Sequence, residues 1–425
     1  MNKAAPNDVC FLTPSQPSNN PRLVKEADAL AEAGYTVHVL CMDCGLWPSQ
    51  TDSSVMAVRP WTCQYVGGMA HSRPWIHRAT RLRQGCSKRA LPWFSWSGML
   101  RQAAMVRVGP ELEAAALRHP AKLYVAHNVT VLRAAVRAAA KFGGRVGYDA
   151  EDFYTGMHAI GQPPSLLERV AEEIERKYLP SCDYITAASP GIAAAYVEKY
   201  RIARPMTVLN VFPLAQRPAA FRSGSAPGPL RLYWFSQCIG CDRGLEDIVQ
   251  AMGLLGDAHI ELHLRGNWQA GYRERLLAVA RSAGVNGDRI VIHAPAPPDE
   301  MARLSAKCDI GLALERPSDH NRTICLTNKL FVYLLAGNAI IATNVSGQQS
   351  LMADIPGVGW CYEPGNIQKL AAGIHNWYTD RAALESARRE AWDWGKRRYN
   401  WDTEKQTFLG LLESILSPAF SCAVS

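Results

Sequence analysis

Short apolar segments alternate with helical patterns along most of this 425-residue chain, and this alternation limits the possible folds more than any other feature. In the first half we predict strands at 9–13, 35–41, 123–126, 145–148 and 184–188. In the second half we predict strands at 230–235, 260–264, 290–292, 310–314 and 339–342. Strands that alternate with helices form parallel sheets covered on both faces, so the sequence predicts an α/β protein.

A segment rich in proline, glycine and serine divides the alternating pattern into two halves. This composition is typical of a linker, and 425 residues exceed the usual size of a single core. We therefore predict two doubly wound Rossmann-like domains that face each other across a cleft. The predicted boundaries are 1–212 for the first domain, 213–229 for the linker, 230–400 for the second domain, and 401–425 for a C-terminal helix that packs back on the first domain.

The chain carries 46 Lys and Arg against 38 Asp and Glu, a net charge of +8, and the excess is unevenly distributed. Residues 53–110 contain no acidic residue, and basic residues alternate there with tryptophans. This combination favours contact with an anionic membrane surface or a polyanionic acceptor. The alternative is a solvated basic loop packed by its own tryptophans. A nucleic-acid partner is not expected, because the charge does not follow a recognised binding motif.

The apolar runs of the sequence bear on its location in the cell. None approaches the roughly 20 residues that a membrane span needs, and the N-terminal residues lack the apolar region of a signal peptide. We expect a cytoplasmic protein, with the inner face of the membrane as the candidate site of attachment. The twelve cysteines are then expected to be mostly buried thiols.

The segment from Leu326 to Ala342 predicts a helix followed directly by a buried strand. Thr327 suits the N-cap because its hydroxyl can accept a hydrogen bond from a free backbone N–H group, and Gly337 suits the C-terminal end. Lys329 lies in the first turn, where the helix dipole disfavours a cation. An anion bound between the lysine and the free N–H groups would remove this conflict, so the segment predicts a phosphate site. The alternative is an ordinary core helix with one solvated lysine.

Two further cations follow strands in the second half. Arg243 opens the helix after the loop 236–242, and Arg265 follows the next strand. Because the carboxyl ends of parallel strands meet at one edge of a sheet, Arg243, Arg265 and Lys329 can converge on one diphosphate. Each of them alone has a simpler explanation as a surface charge.

Several motifs, in order along nearly the whole chain, resemble those of the GT-B glycosyltransferases, in particular the family 4 group that uses nucleotide sugars. The second half has F-S-Q-C-I-G-C-D-R-G-L-E at 235–246, and D-I-G-L-A-L-E at 309–315 leading to T-N-K-L-F-V-Y-L-L-A-G at 327–337. The first half has N-N-P-R at 19–22, His127 at a strand end, Y-D-A-E-D at 148–152, A-S-P at 188–190 and V-L-N at 208–210. Residues 42–122 are the least typical part.

The resemblance implies a hexosyltransferase of the bacterial surface-polysaccharide type. The second domain would bind a nucleoside diphosphate sugar, with UDP or GDP as the nucleotide, and the first would bind a glycan or lipid-linked acceptor. No metal or other cofactor is expected. The implied donor-binding residues are Gln237, Gly240, Arg243, Gly244, Arg265, Glu315, Thr327, Asn328 and Lys329. The implied acceptor-binding residues are Ser18, Asn19, Asn20, Arg22, Glu151 and Asp152.

Three residues are expected to act in the transfer itself. Arg243 and Lys329 would neutralise charge on the leaving diphosphate, and the resemblance implies retention of the anomeric configuration without an obligatory protein base. His127 occupies the position that faces the transferred sugar in the family, and its alternative is a structural histidine. Glu151 and Asp152 suit acceptor hydroxyls or the orientation of His127, with a cap for the following segment as the alternative.

The sequence also departs from the family pattern. The usual pair of glutamates with seven residues between them is missing, since Ile324 and Val332 occupy the two positions. Gln237 replaces a common phosphate-binding arginine, and Glu315 is a candidate to replace the missing carboxylates in part. A GT-B sugar-nucleotide epimerase and a degenerate, non-catalytic nucleotide-sugar-binding protein are therefore the alternative functions. The two C-x-x-C pairs at 41–44 and 238–241 lack nearby partners for a zinc site.

Overall fold

A computed structural model describes residues 7–43, 52, 56–69, 72–93, 97–224 and 228–416 of the protein. The chain divides into two compact units, Met1–Val208 together with Lys405–Ser425, and Leu209–Glu404. Each unit contains one parallel β-sheet with helices between its strands. The predicted fold class, α/β with two doubly wound domains, is confirmed.

The sheet of the first unit has the strand order β3-β2-β1-β4-β5-β6-β7 within the described residues, and its pairs are parallel. The central strands are mostly apolar in their middle residues because helices cover both faces, and Val9, Phe11 and Val125 are buried. The strands are β1 (Asn7–Thr13), β2 (Val37–Met42), β3 (Thr62–Val66), β4 (Ala121–His127), β5 (Arg145–Ala150), β6 (Tyr184–Ala187) and β7 (Met206–Thr207).

The helices of the first unit begin and end at local sequence signals. Ser165 and Glu168 form a capping box at the start of α6, and Gly143 ends α5 in the left-handed conformation. The helices are α1 (Pro21–Glu32), α2 (Pro74–Ala90), α3 (Gly98–Met105), α4 (Gly109–Ala116), α5 (Val129–Phe142), α6 (Leu166–Tyr178) and α7 (Pro190–Tyr200).

The described parts of 53–110 form the edge strand β3, the helices α2 and α3, and the first two residues of α4, so this segment is more regular than a basic loop. Two of its arginines make contacts within the unit. Arg107 donates to the carbonyl oxygen of Gly68 at 2.8 Å, and Arg83 binds the carboxylate of Glu111 with both terminal nitrogens. Arg83 joins α2 to α4, and Arg107 joins α2 to the residues that follow β2 and β3, whereas other basic residues of α2 remain exposed.

The sheet of the second unit has the order β10-β9-β8-β11-β12-β13 and is also parallel. A register irregularity between Phe235 and Cys238 lets β8 continue past its predicted end at 235. The strands are β8 (Leu230–Ile239), β9 (Ile260–Trp268), β10 (Ile290–His293), β11 (Ile310–Ala313), β12 (Ala339–Thr343) and β13 (Gly359–Tyr362).

The helices of the second unit follow the predicted alternation, with one difference that concerns the site. The helix predicted to open at Arg243 begins at Leu245, because Gly244 at its N-cap adopts the left-handed conformation. The helices are α8 (Leu245–Leu254), α9 (Tyr272–Ser282), α10 (Met301–Ser305), α11 (His320–Ile324), α12 (Asn328–Ala336), α13 (Ser346–Asp354), α14 (Ile367–Thr379), α15 (Arg381–Arg397) and α16 (Trp401–Leu416).

The proline-rich segment predicted as a linker at 213–229 is attached to the second unit where it is described. The guanidinium of Arg217 lies 3.3 Å from the ring centroid of Trp392, and Phe221 contacts the same tryptophan. Arg222 donates to the carbonyl oxygen of Cys308 at 3.0 Å and pairs with Asp309. The crossing between the units accordingly falls at Val208 and Leu209, earlier than the composition indicates.

The last helix, α16, contributes to both units. Its first turn belongs to the second unit, and the residues from Lys405 onward belong to the first. Lys405 donates to Glu32 of α1 at 3.0 Å, so this part of the helix is fixed to the helix that follows β1.

Candidate functional site

The loop between β8 and α8 is held close to the end of β11. Asp242 and Gly244 both have positive φ angles, 59° and 68°. A side chain on Gly244 would place its Cβ atom 2.7 Å from the carbonyl oxygen of Leu314. The turn therefore requires glycine at this position both for its backbone conformation and for the close approach, and it carries Arg243 to the carboxyl edge of the sheet.

Lys329 lies at this same edge and is 8% exposed. Its ammonium donates to the Glu315 carboxylate at 2.8 Å, and it lies 5.4 Å from the ring centroid of Trp234. The pKa of Glu315 is lowered, first by Lys329 and further by Arg243 and Arg322. The predicted conflict between Lys329 and the helix dipole is thus relieved by a carboxylate of the protein itself.

Of the two cations beside Glu315, Arg243 is the one that can still bind a ligand. It is partly exposed, and no other described residue accepts a hydrogen bond from it or forms an ion pair with it. It lies close enough to Glu315 to affect the pKa of that carboxyl. Arg243 and Lys329 contribute two positive charges and Glu315 one negative charge, while Arg322 is paired with Asp319 at 3.5 Å. The three residues therefore keep a net charge of 2 − 1 = +1 in a partly buried environment that suits an anion.

The start of α12 differs from the sequence prediction. Thr327 is the N-cap residue, but its hydroxyl does not accept a hydrogen bond from the helix backbone. The hydroxyl accepts instead from the Lys329 ammonium at 3.4 Å. Gly337 ends the helix with φ 72°, as predicted, and Asn328 is its first residue. The backbone N–H groups at the start of α12 are consequently not satisfied by the threonine side chain.

The other predicted donor residues are spread over the same edge. Gln237 is exposed near the end of β8, and Gly240 follows that strand, where an added Cβ would meet the Gln269 side chain. Arg265 contacts the Tyr233 hydroxyl and the Ala294 carbonyl oxygen. Neither contact of Arg265 is with Arg243, Glu315 or Lys329. Val332 and Ile324, which replace the family glutamates, are buried.

The carboxyl edge of the first sheet carries a closed cluster of charges. The guanidinium of Arg22, 1% exposed, donates to both oxygens of Asp149 at 2.7 and 2.8 Å. It also donates to the carbonyl oxygen of Val208 at 2.6 Å and lies 3.5 Å from Glu26. Arg22 is therefore a framework residue, and its burial does not fit the predicted contact with an acceptor.

His127 lies inside this cluster and is 2% exposed. Its Nε2 lies 3.0 Å from Glu26 and its Nδ1 lies 3.4 Å from Asp149. Burial opposes a charged imidazole, but Glu26 and Asp149 outweigh it and raise the pKa of His127. In the protonated form, His127 and Arg22 balance the two carboxylates. The predicted contact between His127 and a sugar hydroxyl does not fit this burial, so the structural alternative is favoured.

Glu151 and Asp152 follow β5 directly, beside the cluster. Burial and the nearby Asp149 raise the pKa of Glu151 to about 7. A carboxyl that titrates near neutral pH at a strand end is a candidate acid or base. Ser18 and Asn19 lie on the loop after β1, where Ser18 donates its backbone N–H to Asp52 at 2.7 Å, and Asn20 caps α1 by accepting from the Leu23 backbone at 3.1 Å.

Sequence reasoning missed Glu26 and Asp149, the two residues that hold His127. Together with His127 they place possible metal ligands within 4.8 Å of one another. Arg22 contacts both carboxylates, however, and with protonated His127 it supplies the balancing positive charge. We assign no metal to this cluster. Arg22 and Glu26 lie one helical turn apart on α1, but this spacing alone does not indicate a carboxylate beside His127.

The two parallel, doubly wound units define the GT-B fold. Structures of three glycosyltransferases share it over most of this chain. HepE from Anabaena, solved with UDP, is 15% identical, with 96% of this chain and all of that chain covered and a TM-score of 0.67. Sucrose-phosphate synthase from Thermosynechococcus elongatus is 14% identical, with 96% and 98% covered and a TM-score of 0.69. The lipopolysaccharide outer core galactosyltransferase WaaB is 12% identical, with 96% and 99% covered and a TM-score of 0.59.

At these identities the similarity establishes the fold alone. No family profile matches the sequence, and no curated protein is significantly similar to it in sequence.

The buried cluster makes stability depend on pH. Because the folded state raises the pKa of His127, the stabilisation is complete below about pH 6.5, the pKa of an unfolded histidine, and is lost as pH rises through the folded pKa. Glu151 acts in the same direction between its unfolded pKa and about 7. Urea unfolding at pH 6 to 9 should show this decline, with a slope up to about 1.4 kcal/mol per pH unit per proton.

The variant His127→Gln separates the contribution of His127 to the pH dependence of stability from that of Glu151. It should reduce the unfolding free energy by about 3–5 kcal/mol, because it breaks a buried ion pair, and should remove the decline above pH 7.5. His77→Gln, in the same unit but outside the cluster, should keep the wild-type pH profile. An unchanged profile in His127→Gln would contradict the assignment of the charge to His127.

Gly244→Ala tests the close approach of the β8–α8 loop. The left-handed conformation alone costs an alanine roughly 1–2 kcal/mol, and overpacking against Leu314 should add about 1–3 kcal/mol. Gly256→Ala is the matched control, because Gly256 has φ 54° and open space around it. Chemical denaturation of both variants should show the larger loss for Gly244→Ala, and equal losses would refute the steric contact.

Proposed function

We propose that the protein is a GT-B glycosyltransferase that transfers a hexose from a nucleoside diphosphate sugar to a glycan or lipid-linked acceptor. The observation that carries the proposal is Arg243, unpaired among the described residues, beside the Glu315–Lys329 pair at the carboxyl edge of the second sheet. Ligands of doubly wound sheets bind at this edge. The fold neighbour HepE has been solved with UDP and with UDP-glucose, which favours a UDP-sugar donor over a GDP-sugar.

Each residue of the edge then has a distinct role in the proposal. Arg243 binds the diphosphate and offsets the charge that grows on it as the glycosidic bond to the sugar breaks. Glu315 positions the ammonium of Lys329, which adds a second positive charge. The uncapped N–H groups at the start of α12 supply further donors. Binding by cations and backbone groups of the chain supports transfer without a metal ion.

The fate of the proton and the stereochemistry are part of the same proposal. The leaving phosphate accepts the proton of the attacking hydroxyl, which allows transfer with retention of configuration and no protein base. Because Val332 and Ile324 leave no carboxylate at the two positions of the family's glutamate pair, the diphosphate contributes more of the donor affinity than in relatives with that pair.

Arg243→Gln is the most direct test, because the loss of Arg243 breaks no contact between described residues and should leave folding unchanged. Removal of one such donor typically costs about 2.7–4 kcal/mol in the transition state, a loss of roughly 100- to 1,000-fold in kcat. The measurement is sugar transfer or donor hydrolysis with UDP-sugars and GDP-sugars selected by thermal shift. Arg273→Gln, an exposed arginine of α9, is the control, and near wild-type turnover in Arg243→Gln would refute the diphosphate assignment.

A non-catalytic nucleotide-sugar-binding protein is the second candidate, and the burial of Val332 and Ile324 is the observation in its favour. If the protein only binds nucleotide sugars, UDP or GDP should give a thermal shift that Arg243→Gln weakens. No donor should then be turned over. The same assays therefore separate the two functions.

We further propose that α2 brings the protein to an anionic membrane surface, where a lipid-linked acceptor would be found. Trp75 is 77% exposed and Leu82 is 70% exposed, two helical turns apart on this helix, and Trp93 just after it is 74% exposed. Arg78, Arg81, Lys88 and Arg89 are exposed around them. Apolar anchors flanked by cations on a helix bind at a lipid interface. Among the described helices, none is long and apolar enough to span a bilayer.

Replacing those four basic residues by glutamine should weaken binding to vesicles of phosphatidylglycerol and phosphatidylcholine by at least tenfold, because each cation near an anionic surface contributes about 1 kcal/mol. Arg83 is not replaced, because it holds Glu111. The control removes four exposed cations of the second unit, Arg273, Arg281, Lys369 and Lys396. Equal losses in a vesicle sedimentation assay would show a general charge effect and contradict the proposal.

A further inference from the structure

The second unit contains a cavity of about 400 Å³ that the proposed transfer does not use. It lies over one face of β8, β9 and β10, with Leu304, Lys307 and Cys308 on its other side. Its size falls within the range of small-molecule sites, about 300–1,000 Å³. We call it the β8–β10 groove.

The groove exists because the two faces of these strands differ. Leu232, Leu262 and Leu264 on one face are fully buried in the core of the unit. On the other face, the parallel register aligns Arg231 with Glu261, Tyr233 with His263, and Phe235 with Arg265 and His293. The crossover helix α10, which follows β10, has only five residues. This short helix leaves a row of polar side chains facing an open space.

The groove has an excess of positive charge. Arg231, Arg265 and Lys307 contribute three positive charges and Glu261 one negative charge, so the net charge is 3 − 1 = +2 with neutral histidines. Glu261 is already shared, because it lies 3.4 Å from Arg231 and 3.0 Å from His263. Of the cations, Arg265 and Lys307 have no carboxylate partner in the described part of the chain.

Arg265 is oriented by neutral acceptors. Its Nε donates to the Tyr233 hydroxyl at 2.9 Å and its Nη1 donates to the Ala294 carbonyl oxygen at 2.6 Å. These contacts fix the plane of the guanidinium and leave both N–H groups of Nη2 and the second N–H group of Nη1 for a ligand. A planar guanidinium held in this way favours bidentate binding of phosphate or carboxylate oxygens.

Two stacked histidines, His263 and His293, also line the groove. The His263 Nδ1 and the His293 Nε2 are 2.9 Å apart, and the His263 Nε2 faces Glu261. The carboxylate accepts, so His263 carries its proton on Nε2, and in the neutral pair His293 donates to His263. Burial lowers the pKa of His293, and the nearby Arg265, His263 and Lys307 lower it further. An anion in the groove would oppose this repulsion, so His293 reports on its occupancy.

We propose that the β8–β10 groove binds a small phosphorylated anion at a site separate from the donor diphosphate. Arg265, expected from the sequence to contact the donor, belongs to this groove, because its contacts are with Tyr233 and Ala294. Arg231 and Glu261 extend the groove toward the amino ends of β8 and β9, away from the edge that carries Arg243 and Lys329.

The test is calorimetric titration of the full-length protein with inorganic pyrophosphate at constant ionic strength. Wild-type protein should bind two equivalents, of which UDP displaces one. The double variant Arg231→Gln/Lys307→Gln should weaken the equivalent that UDP does not displace by at least tenfold and keep its affinity for UDP. Arg243→Gln should weaken only the other equivalent. Lys369→Gln/Lys396→Gln, with the same loss of charge, should behave as wild type.

A second readout does not depend on stoichiometry. In Arg243→Gln, pyrophosphate should shift the imidazole NMR signals of His263 and His293, and the Arg231→Gln/Lys307→Gln change should abolish these shifts. Unfolding midpoints equal to wild type show that the variants are folded.

The two proposals fail in different ways. If pyrophosphate binding in the presence of UDP is absent, or is equally weakened in the Lys369→Gln/Lys396→Gln control, the groove proposal is overturned and the donor site is unaffected. If UDP does not bind but the Arg231→Gln/Lys307→Gln variant still loses one equivalent of pyrophosphate, the groove stands and the donor assignment fails.

Discussion

In each unit, parallel strands place all their carboxyl ends at one edge of the sheet, and the positions of the proposed donor site and of the buried charge cluster follow from this constraint. Loops that leave neighbouring strands are brought together there whatever their separation in sequence. In the second unit this joins the loop after β8 with the residue after β11 and the start of α12. Glycine at 244 then lets the loop that carries Arg243 approach Leu314, the residue before Glu315.

The buried charges at the carboxyl edges of the two sheets are balanced differently. In the first unit, Arg22 and His127 face Glu26 and Asp149, so four charged groups balance with almost no exposure to solvent. Such a set stabilises one arrangement and leaves little for a ligand. In the second unit, Lys329 has one carboxylate while Arg243 has no partner among the described residues. An incomplete balance of charge is what a binding site for an anion needs, since the ligand supplies the missing charge.

Much of the fold follows from the sequence because strands covered on both faces form short apolar runs, as β11 and β12 do. The edge strand β3 was not predicted, since Thr62 and Tyr65 are exposed and interrupt its apolar pattern. The helix start at Thr327 was predicted by residue type, yet its hydroxyl binds Lys329 because the ammonium is fixed nearby by Glu315. The carboxylates that hold His127 were missed because they come from positions without a local pattern. Glu26 lies 101 residues from its histidine, and the Arg22–Asp149 pair spans 127.

The attachment of the proline-rich segment has a practical consequence for dissecting the molecule. Its composition suggests that an isolated second unit could start just before Leu230, where the first strand of the second sheet begins. A fragment with that start would lose Arg222, leaving Asp309 at the head of β11 without its guanidinium, and would uncover the ring of Trp392 that Arg217 and Phe221 pack against. A start at Leu209 keeps these contacts, so the stretch that looks most dispensable in the sequence is part of what the second unit needs to stand alone.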